Sequence, residues 1–336
     1  MAVQRAAPGA RRPLNVPRLL RVTAWALLAL VVLSAGFVAL SWQPGIPADA
    51  LQARWAPPPS RFVAIDGLQV HLRDEGPRDD PVPIVLIHGT SASLHTWQGW
   101  VTALRPTRRV ITFDLPGFGL TGPNASGDYS DAAYVRFTLR LLDALKLQRV
   151  VLGGNSLGGA IAWQTAAEAP QRIDKLILVD AAGYALDSAS VPIGFRIARM
   201  PVLRELMRYT LPRGVIESSV RNVYGDPAKV TPELVDLYYA MSARAGNREA
   251  LGLRMRQLDW GPQNTERIAR LTQPTLILWG GRDRLIPPSH AQRFARDIRG
   301  STLVMFDELG HVPHEEDPKR SVDAVLAFLA RDSTRK

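Results

Sequence analysis

The sequence predicts an α/β fold in which a mostly parallel, eight-stranded sheet is flanked by helices, with a helical cap inserted after the sixth strand. Short runs of Val, Ile and Leu alternate with helical stretches, a pattern typical of a parallel sheet covered on both faces. Between Asp180 and Pro274 the periodicity is helical throughout, which predicts the cap. The uncharged apolar stretch 22–42 predicts an N-terminal transmembrane helix before the first strand.

The composition is that of a folded chain, since 46% of the 336 residues are apolar and 21% are charged. The sequence contains no cysteine, which excludes disulfides and a thiol nucleophile. Five arginines precede the first acidic residue, Asp49, so half of the net charge of +10 lies in the N-terminal segment. This distribution argues against nucleic-acid binding and is typical of a membrane-topology signal.

Residues 1–21 are therefore predicted to be a basic cytoplasmic N-terminus and residues 22–42 a single transmembrane helix. Trp25 and Trp42 lie near the two ends of the apolar stretch, where indole rings prefer the membrane interface. The remaining chain is then expected on the periplasmic side of the cell inner membrane. A cleaved signal peptide, with its cleavage site among the small residues near 39–41, is the alternative interpretation.

Residues 43–60 are rich in proline and predict a juxtamembrane linker with a short helix around 48–55. Two strands, 61–65 and 68–73, are expected next, joined by the turn dipeptide Asp66-Gly67. Six further strands are expected at 84–88, 109–114, 150–153, 175–180, 275–279 and 302–306.

The core is predicted to comprise residues 61–183 and 266–336, and the cap residues 184–265. Arginines alternate with large apolar residues in the first helical stretch of the cap, a pattern that suits a segment facing lipid headgroups. An ordinary cap helix that packs its apolar face on the core is the commoner explanation of such a pattern. The cap helices are expected at 193–209, with a break at Pro201, and at 213–224, 231–243 and 247–258.

The candidate nucleophile is Ser156, which follows a predicted strand and precedes a predicted helix. It is the centre of a Gly-x-Ser-x-Gly pattern with Gly154 and Gly158, and such a nucleophile elbow requires small residues two positions before and after the serine. The backbone amide of Leu157, at the start of the helix, is a candidate donor to a developing oxyanion.

A serine nucleophile needs a base, and the base needs an orienting acid. Asp283 and His311 each follow a late strand, which gives the chain order Ser, Asp, His. Asp180 is a rival for the acid and His314 a rival for the base, while His290 is expected at an exposed helix start.

The second oxyanion donor is expected in the loop His88-Gly89-Thr90 after an early strand, where the amide of Thr90 is the candidate. A plain polar turn is the alternative explanation of that loop. The sequence contains no metal-ligand constellation, no GxGxxG and no P-loop, so neither a metal nor a cofactor is predicted.

With these motifs, the chain from about residue 61 onward resembles the α/β-hydrolase fold superfamily. The blocks that carry the resemblance are His-Gly-Thr, Asp-Leu-Pro-Gly-Phe-Gly, Gly-Asn-Ser-Leu-Gly-Gly, Gly-Gly-Arg-Asp and Gly-His, in family order. The N-terminal anchor and helical cap are similar to membrane-anchored bacterial phospholipase A and to monoacylglycerol-lipase type enzymes. The Gly-Asn-Ser-Leu-Gly-Gly block also resembles hydrolases that cleave the carbon-carbon bond of meta-cleavage products, although those carry a more glycine-rich oxyanion loop.

The expected activity is that of a serine hydrolase acting on carboxylic esters, with a lipid or other fatty-acyl ester as substrate. Ser156 attacks the carbonyl, His311 carries the proton, Asp283 orients the imidazole, and the amides of Thr90 and Leu157 bind the oxyanion. The alternatives are a hydrolase of soluble substrates, including carbon-carbon cleavage, an acyltransferase or perhydrolase with the same triad, and a non-catalytic binding module. The sequence leaves the oligomeric state open.

Overall fold

The computed structural model describes residues 16–185, 187–258, 261 and 263–331. The chain divides into two compact units, Met1–Trp42 and Gln43–Lys336. The described part of the first unit contains one long helix, α1 (Val16–Leu40). Its span Leu20–Leu40 has a mean hydropathy of 2.3 and is long and apolar enough to cross a membrane. Most of the predicted basic N-terminus, including Arg5, Arg11 and Arg12, lies outside the described residues.

The second unit is built on one eight-stranded sheet. Its strands are β1 (Arg61–Ile65), β2 (Leu68–Glu75), β3 (Ile84–Ile87), β4 (Val110–Phe113), β5 (Val150–Asn155), β6 (Ile173–Val179), β7 (Thr275–Gly280) and β8 (Thr302–Phe306). Their spatial order is β1-β2-β4-β3-β5-β6-β7-β8. β2 pairs antiparallel with β1 and β4, and every other pair is parallel. The predicted mostly parallel, eight-stranded sheet is confirmed.

Helices surround this sheet. Around the first strands lie α2 (Ala48–Trp55), α3 (Gln98–Leu104), α4 (Asp131–Ala144) and α5 (Leu157–Glu168). Between β6 and β7 lie α6 (Ile193–Arg199), α7 (Pro201–Met207), α8 (Arg213–Val223), α9 (Pro232–Ala243), α10 (Asn247–Arg256) and α11 (Gln263–Ala269). After β7 come α12 (Ser289–Asp297), α13 (Pro313–Glu316) and α14 (Pro318–Ala330). Three short 3₁₀ turns are Leu94–Trp97, Pro170–Arg172 and Pro227–Lys229.

The central strands are mostly apolar because both faces of the sheet are buried. In β3, Val85 and Ile87 belong to the hydrophobic cluster between the sheet and helices α4 and α5. Ile84 and Leu86 belong to the hydrophobic cluster between the sheet and helices α3 and α14. Successive side chains of a strand point to opposite faces, so a two-sided burial needs a continuous apolar run. This burial fixes the carboxyl ends of β5, β7 and β8, which carry the loops of the site.

The cap contains the predicted break at Pro201. α6 ends at Arg199, and α7 begins with Pro201 at its first position, where the missing N–H of proline costs nothing. The linker is bonded to the cap, since Gln43 N donates to Tyr209 O (2.8 Å) and Ile46 N donates to Ala243 O (2.8 Å). The second unit therefore begins along the cap.

Candidate active site

Ser156 lies on a sharp turn between β5 and α5. Its backbone has φ 55° and ψ −114°, a conformation that a residue with a side chain adopts only under strain. A Cβ on Gly154 would lie 2.2 Å from the Gly158 backbone, and one on Gly158 would lie 2.1 Å from Ile87 O. Both positions therefore require glycine, and the turn has the geometry of a nucleophile elbow.

His311 and Asp283 form a buried pair in the loops after β8 and β7. His311 Nδ1 lies 2.6 Å from Asp283 Oδ2, and Asp283 Oδ1 accepts from the amides of Leu285 (2.8 Å) and Ile286 (3.0 Å). His311 Nε2 is buried and has no hydrogen-bond partner among the described residues. With Nδ1–H donated to Asp283, Nε2 is left as the basic nitrogen.

The loop that carries His311 is braced from both the core and the cap. Asn155 Nδ2 donates to His311 O (2.9 Å), and His311 N donates to Val223 O (2.7 Å) at the end of α8. The Glu316 carboxylate accepts from Gly310 N (2.8 Å) and also from cap amides at Gly225 (2.9 Å) and Asp226 (2.8 Å). These bracing contacts could not be predicted from local sequence patterns, because they join segments that are distant in the chain.

Asp180, the rival acid, lies at the end of β6 and contacts Asp283. Its Oδ1 accepts from Gly280 N (2.9 Å), and its buried Oδ2 has no donor among the described residues. Burial and the charge of Asp283 raise the pKa of Asp180 well above its ordinary value. Burial beside Asp283 therefore favours the neutral form of Asp180 more strongly than for an ordinary aspartate.

Asp180, Asp283 and His311 place one ligand atom each within 4.8 Å of the others, the one such group found among the described residues. Carboxylate and imidazole are metal-ligand types. In this arrangement the His311 Nδ1 and Asp283 Oδ2 atoms are hydrogen-bonded to each other, and the raised pKa of Asp180 disfavours its charged form. Asp283 and His311 thus form a hydrogen-bonded pair, and the Asp180 carboxyl lies close to both.

His314, the rival base, lies away from the cavity beneath α3. Its ring lies 4.2 Å from that of Trp97, and its Nε2 is 2.9 Å from Thr96 Oγ1. Burial lowers the pKa of His314 to about 3, so this imidazole stays neutral. Its position suits a core side chain. His290 is also buried, at 5% exposure, where an exposed helix start was expected.

A cavity of about 1020 Å³, including its opening to solvent, lies between the sheet and the cap. Ser156, His311 and Thr90 line it from the core side. Leu157 follows Ser156 as the first residue of α5, and the first amides of a helix have no partner within the helix. The roles of Thr90 and Leu157 as oxyanion donors stay predictions. The cap side is mostly apolar and includes Phe195, Met207, Leu211, Val215, Ile216 and Met241.

A second Ser-His-Asp contact lies elsewhere in the core. His71 Nδ1 is 2.7 Å from Asp114 Oδ2, and His71 Nε2 is 3.0 Å from Ser60 Oγ. Ser60 Oγ also accepts from Arg73 Nε (2.9 Å). None of these four residues lines the cavity.

Comparison with known proteins places the chain in a family. Residues 82–318 match the family described as alpha/beta hydrolase fold. An uncharacterized protein of Mycobacterium tuberculosis is 35% identical over 291 residues, 82% of each chain. A 2-hydroxy-6-oxo-2,4-heptadienoate hydrolase of Pseudomonas putida is 32% identical over 283 residues, 81% of this chain and 96% of its own length.

Among solved structures, a membrane phospholipase A described as a bacterial virulence factor is similar in fold. It superposes with a TM-score of 0.70 at 24% identity and covers 95% of this chain and 98% of its own. The family match extends over more than half of the sequence and includes the elbow and both candidate loops. The chain is a hydrolase that belongs to the α/β-hydrolase family.

Proposed function

We propose that the protein is a membrane-anchored serine hydrolase that cleaves carboxylic esters of lipids or other fatty-acyl compounds. The observation that carries this proposal is the apolar cavity above Ser156 and His311, because an acyl chain needs apolar walls next to the attacked carbonyl. The strained serine and the unpartnered His311 Nε2 support the nucleophilic chemistry.

In the first half of this mechanism, Ser156 Oγ attacks the ester carbonyl while His311 Nε2 takes its proton. The tetrahedral oxyanion is held by the amides of Thr90 and Leu157. His311 then gives the proton to the alcohol oxygen as the carbon-oxygen bond breaks, and an acyl-enzyme remains. In the second half, water attacks this acyl-enzyme with His311 again as the base, which releases the acid and restores Ser156.

Membrane attachment is supported by α1 and by the surface of the cap. Among the described residues of the catalytic unit, five of the six exposed large hydrophobic side chains lie on α6, α7 or just after them: Ile193, Met200, Val202, Leu203 and Tyr209. Arg196 and Arg199 are exposed on the same segment. Apolar side chains interleaved with arginines suit contact with anionic lipid headgroups.

A second candidate function is carbon-carbon bond hydrolysis of a dienoate. It is favoured by the 32% identity to the Pseudomonas putida hydrolase over nearly its whole length. The same serine and histidine serve both reactions, so the substrate distinguishes them.

The first test compares the purified chain with Ser156→Ala on a panel of p-nitrophenyl esters, phospholipids, monoacylglycerols and a 2-hydroxy-6-oxo-dienoate. Ester hydrolysis and fluorophosphonate labelling are expected in the parent and absent in Ser156→Ala, since an activated serine reacts with both. Ser60→Ala is the matched control and should keep both. Labelling that persists without Ser156, or turnover of the dienoate alone, would contradict the ester proposal.

The membrane component is tested by removing residues 1–42. The released unit should hydrolyse short dispersed esters at near-parent rates but lose most of its activity on long-chain lipids in vesicles, because the anchor raises the local substrate concentration. Equal effects on dispersed and vesicle substrates would count against a role for the membrane.

A further inference from the structure

The cavity above Ser156 contains a single charged side chain among its described lining residues, Arg248 at the start of α10. Arg248 is 7% exposed, so its guanidinium is removed from water. No carboxylate is among the described residues that line the cavity, and within that part of the chain Arg248 forms no ion pair. A buried cation without a counterion is costly unless a ligand supplies the opposite charge.

Only some of the hydrogen-bond donors of Arg248 have acceptors among the described residues. Its Nη2 donates to the carbonyl oxygens of Gln43 (2.6 Å) and Arg208 (2.9 Å), which joins the linker to the cap. Its Nη1 is buried and has no acceptor among the described residues. Loss of hydration lowers the pKa of Arg248, with a small opposing contribution from Tyr239, yet an arginine stays charged in proteins.

Asn247, the preceding residue, also has a buried polar atom without a hydrogen-bond partner among the described residues, and it lines the same cavity. Its Nδ2 donates to Gly119 O (2.9 Å) and Met241 O (2.7 Å), while its buried Oδ1 has no donor among the described residues. Two adjacent side chains thus leave a donor and an acceptor unpartnered in a cavity with mostly apolar walls. Buried polar atoms normally have hydrogen-bond partners. Two such atoms without a partner in one cavity therefore indicate that a polar group of a ligand binds there.

We propose that Arg248 binds an oxyanion of the substrate, a carboxylate or a phosphate, and that the enzyme therefore prefers anionic amphiphiles to neutral esters. This inference rests on the proposed function and narrows its substrate class. The apolar walls hold the hydrocarbon part, and Nη1 of Arg248 supplies a charge-assisted hydrogen bond to the anionic part. A dienoate carboxylate has the same chemistry, so the proposal holds for either reaction at Ser156.

Two matched substrate pairs separate the two sources of the oxyanion. p-Nitrophenyl hexanoate and mono-p-nitrophenyl adipate have acyl chains of equal length and differ by a terminal carboxylate. 1-Monoacylglycerol and 1-acylglycerol 3-phosphate differ by a phosphate. For at least one pair, we expect the full-length enzyme to show a higher kcat/KM for the charged member, and the pair with the larger preference identifies the group bound.

The key variant is Arg248→Met, which keeps the length of the side chain and removes its charge. We expect the ratio of charged to neutral kcat/KM to fall by about 30-fold, chiefly through KM, as for loss of a buried charge contact. Arg248→Lys should restore part of this ratio. Arg244→Met is the matched control, because Arg244 is a neighbouring, partly buried arginine that also bonds backbone carbonyls but does not line this cavity.

Structural damage from loss of the Gln43 and Arg208 contacts would lower turnover of both members of a pair and leave the ratio unchanged. That result, or a parent enzyme that prefers the neutral member of both pairs, would overturn the proposal.

Binding of decanoate and decanol to the Ser156→Ala chain, measured by calorimetry, tests the site without turnover. Tighter binding of decanoate that is lost in the double variant with Arg248→Met would support the anion site even if no ester were cleaved. Equal binding of the two compounds would contradict it, whatever the outcome for the ester proposal.

Discussion

Two histidines of the catalytic unit contact a buried aspartate through Nδ1 with nearly the same geometry. The His311–Asp283 distance is 2.6 Å and the His71–Asp114 distance is 2.7 Å. Ser60 lies 3.0 Å from the second nitrogen of His71, so the second group has the composition and contacts of a catalytic triad. What separates the two groups is what surrounds them.

In the His71 group every polar atom is already bonded. Asp114 also accepts from the amides of Leu94 (2.7 Å) and Leu120 (2.7 Å), and Ser60 accepts from Arg73. The group joins β2, the loop after β4 and the end of the linker. In the His311 group, Nε2 is left unpartnered among the described residues and a cavity lies above it. We therefore propose the His311 group as the catalytic one because of its unpartnered nitrogen, the strained serine and the cavity, rather than because of distances alone.

Matched substitutions of the two aspartates test this comparison and have the largest expected effect. Asp283→Asn should lower kcat by about 10⁴-fold with little change in the free energy of unfolding, because the amide stabilises the wrong tautomer of His311. Asp114→Asn should leave kcat near the parent value and lower the free energy of unfolding by about 3–5 kcal/mol, as for a broken buried pair. Ester turnover and urea denaturation of the 43–336 unit measure both.

The stability loss expected for Asp114→Asn depends on pH. Burial alone would raise the pKa of Asp114, but the charge of His71 and the hydrogen bond to it hold that pKa below its ordinary value. The stabilisation is therefore present above the unfolded pKa of about 3.9 and is lost as the pH falls below it. The stability gap between parent and Asp114→Asn should shrink at acid pH. A large loss of kcat in Asp114→Asn would mean that the His71 group takes part in catalysis.

The elbow at Ser156 and the break at Pro201 could be predicted from sequence because local geometry decides them. Small residues around Ser156 and a proline at a helix start act through their immediate neighbours. The predicted boundaries of the central strands were also close to the observed ones, since burial on both faces of the sheet leaves a mostly apolar run in the sequence.

The unpredicted features depend on contacts between distant segments. Arg248 is bonded to Gln43, about two hundred positions earlier in the chain, and Glu316 joins the His311 loop to the cap. His290 was expected to be exposed, yet Tyr184 packs against its ring and Asp187 bonds its Nε2. A helical pattern does not show that the first residues of the cap fold over this position.

A substitution of Asp180 has the smallest expected effect on kcat. It tests which of two carboxyls, Asp180 or Asp283, orients His311, a choice that the sequence alone left open. Because burial beside Asp283 raises the pKa of Asp180 and favours its neutral form, the neutral side chain of Asp180→Asn should retain kcat within about tenfold of the parent value. A loss as large as that of Asp283→Asn would make Asp180 the catalytic acid.

The same variant should differ from the parent in the pH dependence of stability. Since the pKa of Asp180 is raised in the folded state, the native protein holds a proton that the unfolded chain loses above about pH 4, and the free energy of unfolding falls as the pH rises from there. Asparagine does not titrate, so Asp180→Asn should gain stability relative to the parent as the pH rises above about 4, as measured by urea denaturation of the 43–336 unit. A stability difference that did not change with pH would show that the pKa of Asp180 is not raised in the folded protein.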